Sequence, residues 1–148
     1  MKDLYLANID GNPNWVSPMD IQYDGNGNSI LVGGVQLLDQ MIVKALMTQF
    51  STDTLAPLYG GSFSSMIGVK LDQATSAILM VSETERIVNR VAKITQNNNF
   101  TPDQQIAGLN DILISNPNGP TSTTLTIQIQ TQSGSSVTLA APVKTYQS

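Results

Sequence analysis

Apolar residues change their spacing several times along the chain, and each change marks a new element. In the first thirty-odd residues, short apolar stretches are separated by turn clusters. Asp10-Gly11-Asn12-Pro13-Asn14 comes first, then Ile21-Gln22-Tyr23 runs into Asp24-Gly25-Asn26-Gly27-Asn28, and Ile30-Leu31-Val32 follows. Gly and Asn supply the positive φ angles that tight hairpins need, so the pattern predicts a β-hairpin joining Ile21–Tyr23 to Ile30–Val32. From Val35 to Phe50 the period becomes helical, with Val35, Leu38, Met41, Ile42, Ala45 and Leu46 on one face. Ser51 to Phe63 carries Thr, Asp, Pro and paired Gly, which is the chemistry of a loop. A second helix is expected over 73–95, where Ala77, Leu79, Met80, Val81, Ile87, Val88, Val91 and Ile94 recur at threes and fours. Glu83, Glu85, Arg86, Arg90 and Lys93 mark its polar side, and Asn97-Asn98-Asn99 ends it.

Thr101-Pro102-Asp103-Gln104 has the form of a helix start: a Thr cap, Pro at the first helical position and Gln three residues after the cap. Gly108 and Asn110 keep that third helix short. Ile112-Leu113-Ile114 then reads as a strand, Asn116-Pro117-Asn118-Gly119-Pro120 as a turn, and Thr121 to Gln132 as a clear alternating strand. Leu125, Ile127 and Ile129 share one face of it, and Thr124, Thr126, Gln128 and Gln130 share the other. Ser133-Gly134 permits a hairpin into Val137-Thr138-Leu139, and Pro142 is expected to end the pairing. The whole describes a single α+β domain over 1–148: two main helices packed on a small, mostly antiparallel sheet with C-terminal hairpin strands.

Composition sharpens this picture at one point. Apolar residues make up 41% of the 148, close to the average for folded domains, but charged residues make up only 12%, about half the usual share of roughly 25%. Asn, Gln, Ser and Thr replace them. A polar, uncharged surface suits a protein whose faces are covered by neighbours, since charge is depleted at interface centres; it also suits a soluble domain of low surface charge. From Ile112 to Val143 there is no charged side chain at all. An exposed strand edge without charge invites pairing with another chain and is normally blunted unless pairing is its purpose.

The formal charge of −4 repels a phosphate backbone, so nucleic acid is not expected as a partner. Nor is a membrane, because the longest apolar runs fall far short of the roughly 18 residues that span a bilayer. The first ten residues are broken by acid before a secretory core could form. With no Cys and no His, disulfides, thiolate nucleophiles, imidazole bases and Cys-based zinc sites are all excluded. Glu83 and Glu85 are two apart on a helix and point different ways, so they do not make the carboxylate pair of a glycosidase. Asp24-Gly25-Asn26-Gly27-Asn28 imitates half a calcium loop, but Ser29 and Val35 stand where Gly and Glu are required. Asp10-Gly11-Asn12-Pro13-Asn14 fails in the same way. Gly33-Gly34 before the first helix is a weak anion-site pattern and serves equally as a strand-to-helix turn. No catalytic, metal or cofactor site is therefore expected.

The first helix followed by Pro57-Leu58-Tyr59-Gly60-Gly61-Ser62 resembles the helix and Pro-x-Tyr-Gly-Ser-like loop of the phage baseplate wedge family that includes the sheath initiators of contractile tails. In that family a second helix ends in Glu-Pro-Arg before alternating strands. The corresponding place here looks like Val88-Asn89-Arg90, with only the Arg kept, and Gly61 is inserted between Gly60 and Ser62. The resemblance covers roughly 30–139 and lies more in the order of elements than in any motif. Some members carry a lysozyme-like label, but the role it implies is structural. It implies a virion protein of the tail baseplate, assembled in the host cytoplasm, with about six copies around the tail tube. Arg90 would face baseplate wedge or core-bundle proteins, and Tyr59, in the loop with Pro57 and Gly60, would anchor that loop against the domain itself or against a wedge partner. The C-terminal strands, with Thr124, Thr126, Gln128 and Gln130 on their polar face and one backbone edge of the sheet left free, would receive extended arms of the tail sheath protein, templating sheath polymerisation by β-augmentation. The rival expectations are another tail module, such as a tube, tail-completion or adhesin subunit, and a peptidoglycan hydrolase.

Overall fold

A computed structural model of the chain describes residues 1–4, 6–8, 19–21, 23–49, 51–52, 54–55, 58–63, 73–115 and 123–143. Among the described residues, four short strands come first: β1 (Asp3–Leu4), β2 (Leu6–Asn8), β3 (Met19–Ile21) and β4 (Leu31–Val32). Helix α1 (Gly34–Met47) and helix α2 (Gln73–Thr95) follow, then a single 3-10 turn at Pro102–Gln104. Strands β5 (Ile106–Ser115), β6 (Thr123–Thr131) and β7 (Ser136–Val143) form an antiparallel sheet in that order. This is the α+β arrangement expected from the sequence. The expected turns at 10–14 and 116–120 lie outside the described residues.

Alternation in β6 sets the core. Leu125, Ile127 and Ile129 are completely buried and join Val137, Leu139 and Ala141 of β7 in one cluster with Leu38, Ile42, Ala45 and Leu46 of α1 and Met80, Ile87, Val88 and Val91 of α2. The opposite face of the sheet carries the polar residues, because strand side chains alternate with a period of two. α1 is buried on a second side as well. Leu37 packs with Val32 and Phe100 in a separate small cluster, so the helix is clamped between the sheet and the N-terminal strands. Lys44 ties it to β1 through an ion pair with Asp3 at 2.8 Å.

Four expectations change. The Asp24–Asn28 turn forms, but its arms meet only through a bridge between Tyr23 and Ser29. Beyond that bridge β3 pairs with β2, and β4 with β1, so residues 3–8 take up the backbone groups that the expected hairpin would have used. In α2, Leu79 and Ile94 are not core residues: 39% and 36% of their surface is exposed. The strand expected at Ile112 begins at Ile106: two irregularities, between Ile106 and Gly108 and between Leu109 and Asp111, leave Ala107 and Asn110 unpaired while Gly108 pairs with Gln130. Pro142 does not end the pairing; it lies within β7 opposite Thr124. β7 is an edge strand, where a missing N–H is tolerated.

The expected helix start at Thr101 is realised as the 3-10 turn. The buried Gln104 accepts the Thr101 N–H at 3.2 Å and donates through Nε2 to the Met1 carbonyl at 3.0 Å. One amide side chain thus closes the turn and holds the N-terminal strand against it.

Among the described residues, Asp39 in α1 holds a buried side-chain oxygen that is not satisfied. Its Oδ1 is buried without a hydrogen-bond partner, and burial pushes its carboxyl up from 3.8 to about 6. A carboxyl whose folded pKa is raised binds its proton more tightly in the folded state. Its contribution favours folding at low pH and is lost as pH rises from about 4 through about 6. Asp39→Asn should therefore remove a loss of about 1–3 kcal/mol over that window, seen in urea midpoints at pH 5 and pH 7.5. An unchanged pH slope in the variant would show that this carboxyl is solvated in the folded protein.

Candidate interaction site

The loop after α1 is fastened at both ends. α1 stops at Thr48, whose backbone N–H and side-chain Oγ1 both donate to the Lys44 carbonyl, at 2.9 and 2.7 Å. Thirteen residues on, the chain returns to the same point: the Gly61 N–H donates to the Thr48 carbonyl at 2.8 Å, and Gln49 and Gly61 form a parallel bridge. Gly60 has φ +95°, and a Cβ there would stand 2.5 Å from the Thr48 oxygen. At Gly61 a Cβ would meet Ile87 Cδ1 at 2.6 Å. Both glycines are therefore required, one by conformation and one by close approach to α2.

α2 completes the closure. Arg86 donates to the Gly60 carbonyl at 2.8 Å and to both oxygens of Glu83, at 2.9 and 2.8 Å. Glu83 in turn accepts the Ser62 N–H. The Arg86 guanidinium, burial and the Ser62 backbone act on Glu83 in that order, and the net effect holds its carboxyl below the usual range. The sequence showed Glu83 and Arg86 as an ordinary (i, i+3) pair. What it did not show is that the pair grips the loop, because neither partner's backbone contact leaves a pattern in residue types.

Of the residues expected to meet partners, Tyr59 and Gly60 belong to this closed loop. Tyr59 is half-buried against the core, and its hydroxyl donates to the Met41 carbonyl at 3.4 Å. Pro57 lies outside the described residues. Arg90 is one turn beyond Arg86, half-exposed, and has no hydrogen-bond or ion-pair partner among the described residues. Leu55 and Leu58, by contrast, project from the loop, Leu55 being 96% exposed.

Thr124, Thr126, Gln128 and Gln130 lie together on the face of β6 away from the core, the first three half-buried and Gln130 exposed. Their strand is the middle one. It pairs with β5 through Ser115↔Thr124 to Ile106↔Thr131, and with β7 through Thr123↔Val143 to Gln130↔Ser136. The backbone of β6 is thus used on both sides, so the expectation of a backbone edge left for an extended arm falls on the outer strands of the sheet. The sheet's edges belong to β5 and β7, and they differ. β5 is irregular at two places, and the Asp111 carboxylate accepts its neighbour Ile112's N–H at 2.9 Å. β7 keeps unbroken register from Ser136 to Val143 and has no charged residue.

The turn and anion patterns resolve as ordinary structure. Asp24 accepts the N–H groups of Asn26 and Asn28 at 2.8 and 2.9 Å and the Asn28 side-chain amide at 3.2 Å. Those bonds, the Asn28 backbone first, lower its pKa and use the carboxylate as a turn cap. At the start of α1 the Asp103 carboxylate lies 3.0 Å from where a Gly34 Cβ would stand, so the protein's own acid occupies the helix N-terminus. Among the described residues no group of three or more His, Cys, Asp or Glu is placed to hold a metal, and no helix is long and apolar enough to cross a membrane.

No family model matches the chain, and no curated protein sequence matches it significantly. A fold match exists nonetheless. A crystal structure of a Geobacter sulfurreducens protein, provisionally described as a tail lysozyme, superposes with a TM-score of 0.63 at 13% identity, over 80% of this chain and 97% of that one. The two share a fold.

Gly60→Ala should destabilise the chain by about 1–3 kcal/mol, since it forces an alanine to a positive φ against the Thr48 carbonyl. Tyr59→Ala should also lower the melting temperature, and Tyr59→Phe should change it little, because the 3.4 Å hydroxyl contact is long. Thermal unfolding of the three variants checks this. Unchanged stability in both Gly60→Ala and Tyr59→Ala would contradict a load-carrying loop.

Proposed function

We propose that this chain is a structural subunit of a contractile phage tail or a related injection machine, which links the baseplate wedge to the sheath and templates sheath polymerisation. The fold shared with a protein described as a tail lysozyme supports the tail setting. The observation that carries the finer role is the contrast between the two edges of the C-terminal sheet. β5 is blunted by bulges and by a carboxylate over one N–H, the devices by which edge strands avoid pairing. β7 has eight residues in regular register with neither charge nor bulge; its one edge device is Pro142, next to its end, which lacks an N–H and leaves Ser136–Ala141 as the pairing stretch. An extended arm of the sheath protein would add to β7 as a fourth strand. Main-chain hydrogen bonds would supply affinity, and alternate side chains would set register.

In this arrangement the added strand docks on β7, and Thr124, Thr126, Gln128 and Gln130 form the polar face of β6 one strand further in. Arg90 and the Tyr59–Gly60 loop face wedge or core-bundle proteins, and about six copies surround the tail tube. The protein works in the virion, after assembly in the host cytoplasm. Hydrolysis is not part of the proposal. Glu83, the carboxylate most firmly placed, is held ionised by Arg86, the reverse of what a general acid needs. Asp39, whose carboxyl is raised, does not line the groove between α2 and β5.

A Pro placed in β7 at an N–H that points away from β6 should leave folding and baseplate entry intact and abolish sheath initiation. Electron micrographs would then show tubes with naked baseplates, while Gln128→Ala particles would carry normal sheaths. Full sheaths on the Pro variant would rule out β-augmentation at this edge. Arg90→Ala is expected to change stability by no more than about 1 kcal/mol and to reduce incorporation into the baseplate. Undiminished incorporation would remove Arg90 from the interface.

A further inference from the structure

A second surface is independent of the sheet edge. Ile78, Val81 and Glu85 follow one another at helical spacing along one face of α2. Ile78 is 69% exposed, so the domain's own core does not use it. Beside this stripe runs β5, and between the two lies a groove of about 240 Å³ lined by Val81, Glu85, Leu109, Asn110, Asp111 and Ile112. Its volume is below the roughly 300–1,000 Å³ of small-molecule sites. The groove is the size for anchoring side chains.

Its chemistry selects the occupant. The lining is apolar at Val81, Leu109 and Ile112 and acidic at Glu85 and Asp111. Neither carboxylate has an ion-pair partner among the described residues; the cation nearest in sequence, Arg86, is taken by Glu83. The Ile112 N–H is covered by Asp111, so the groove does not offer that backbone group to an extended strand. At that position docking proceeds through side chains. A second copy of this chain is a poor match, because 11 acidic residues against 7 basic ones would bring net negative charge to an acidic rim.

We infer that the α2–β5 groove docks an amphipathic basic helix of a partner protein, with apolar side chains at i and i+3 or i+4 on Ile78, Val81, Leu109 and Ile112, and flanking Lys or Arg against Glu85 and Asp111. Helix-in-groove binding of this kind uses the exposed apolar stripe and the unpaired carboxylates together. It does not depend on where the sheath attaches.

The test is an NMR titration of the isotope-labelled chain with a synthetic amphipathic Leu/Lys helix. Two controls accompany it: a peptide of the same composition scrambled to break the apolar face, and a Leu/Glu analogue. Shifts should concentrate at residues 78–85 and 109–112. Glu85→Lys and Ile78→Ser, both at exposed positions, should each weaken binding about tenfold at unchanged melting temperature. The inference is overturned by no binding at about 1 mM peptide, by shifts centred elsewhere, or by equal binding of either control. It is overturned equally if the variants bind as tightly as the parent, or if the same residues shift with protein concentration alone, which would assign the groove to a second copy.

Discussion

Burying every second residue of β6 constrains nearly everything else. Leu125, Ile127 and Ile129 are completely inaccessible, and a one-residue slip would exchange them for Thr126, Gln128 and Gln130. Register against β5 and β7 is therefore fixed by the hydrophobic effect, at roughly 1.5–3 kcal/mol for each large apolar side chain kept inside. Both helices are then committed to the same face of the sheet, since that is where the apolar residues are. The other face remains polar, and the two outer edges remain as the places where backbone can meet another chain. Which edge stays available is decided locally, by bulges and a carboxylate on β5 and by their absence from β7.

The loop between the helices obeys a second constraint of the same kind. It must leave α1 at Thr48 and return to Thr48 at Gly61, which only two glycines and a short approach to Ile87 allow. Once closed, it is gripped by Glu83 and Arg86, so α1, loop and α2 behave as one unit. The exposed Leu55 and Leu58 are then carried on a fixed base. In the role proposed for it, that base would keep these side chains from collapsing onto the core.

Periodicity made the large elements legible. α2 spans 73–95 and β6 alternates as its residues indicate, because long amphipathic segments carry many concordant positions. Where several partners compete for one segment, residue types do not choose among them. Ile21–Tyr23 and Ile30–Val32 were suited to each other, yet residues 3–8 supplied the longer pairing surface. Leu79 and Ile94 match the helical period and are nevertheless exposed, since the period marks a face and says nothing of how far a neighbour extends along it. The uncharged C-terminal stretch pointed to the sheet as the place of contact, but not to the strand. That β6 is central follows from three-dimensional order, which alternation alone does not encode. Arg90 drew attention as a family-like position, while the Glu83–Arg86 grip rests on main-chain contacts without a sequence signature.

The central claim is that the free edge of β7 is where the sheath begins. A cryo-EM reconstruction of the assembled tail, at a resolution that separates strands, tests it most directly. The account predicts an extended segment of the first sheath ring hydrogen-bonded along Ser136–Ala141 as a fourth strand, repeated around the tube. A reconstruction in which that edge faces solvent, or in which the sheath touches this chain only through side chains on another face, would contradict it.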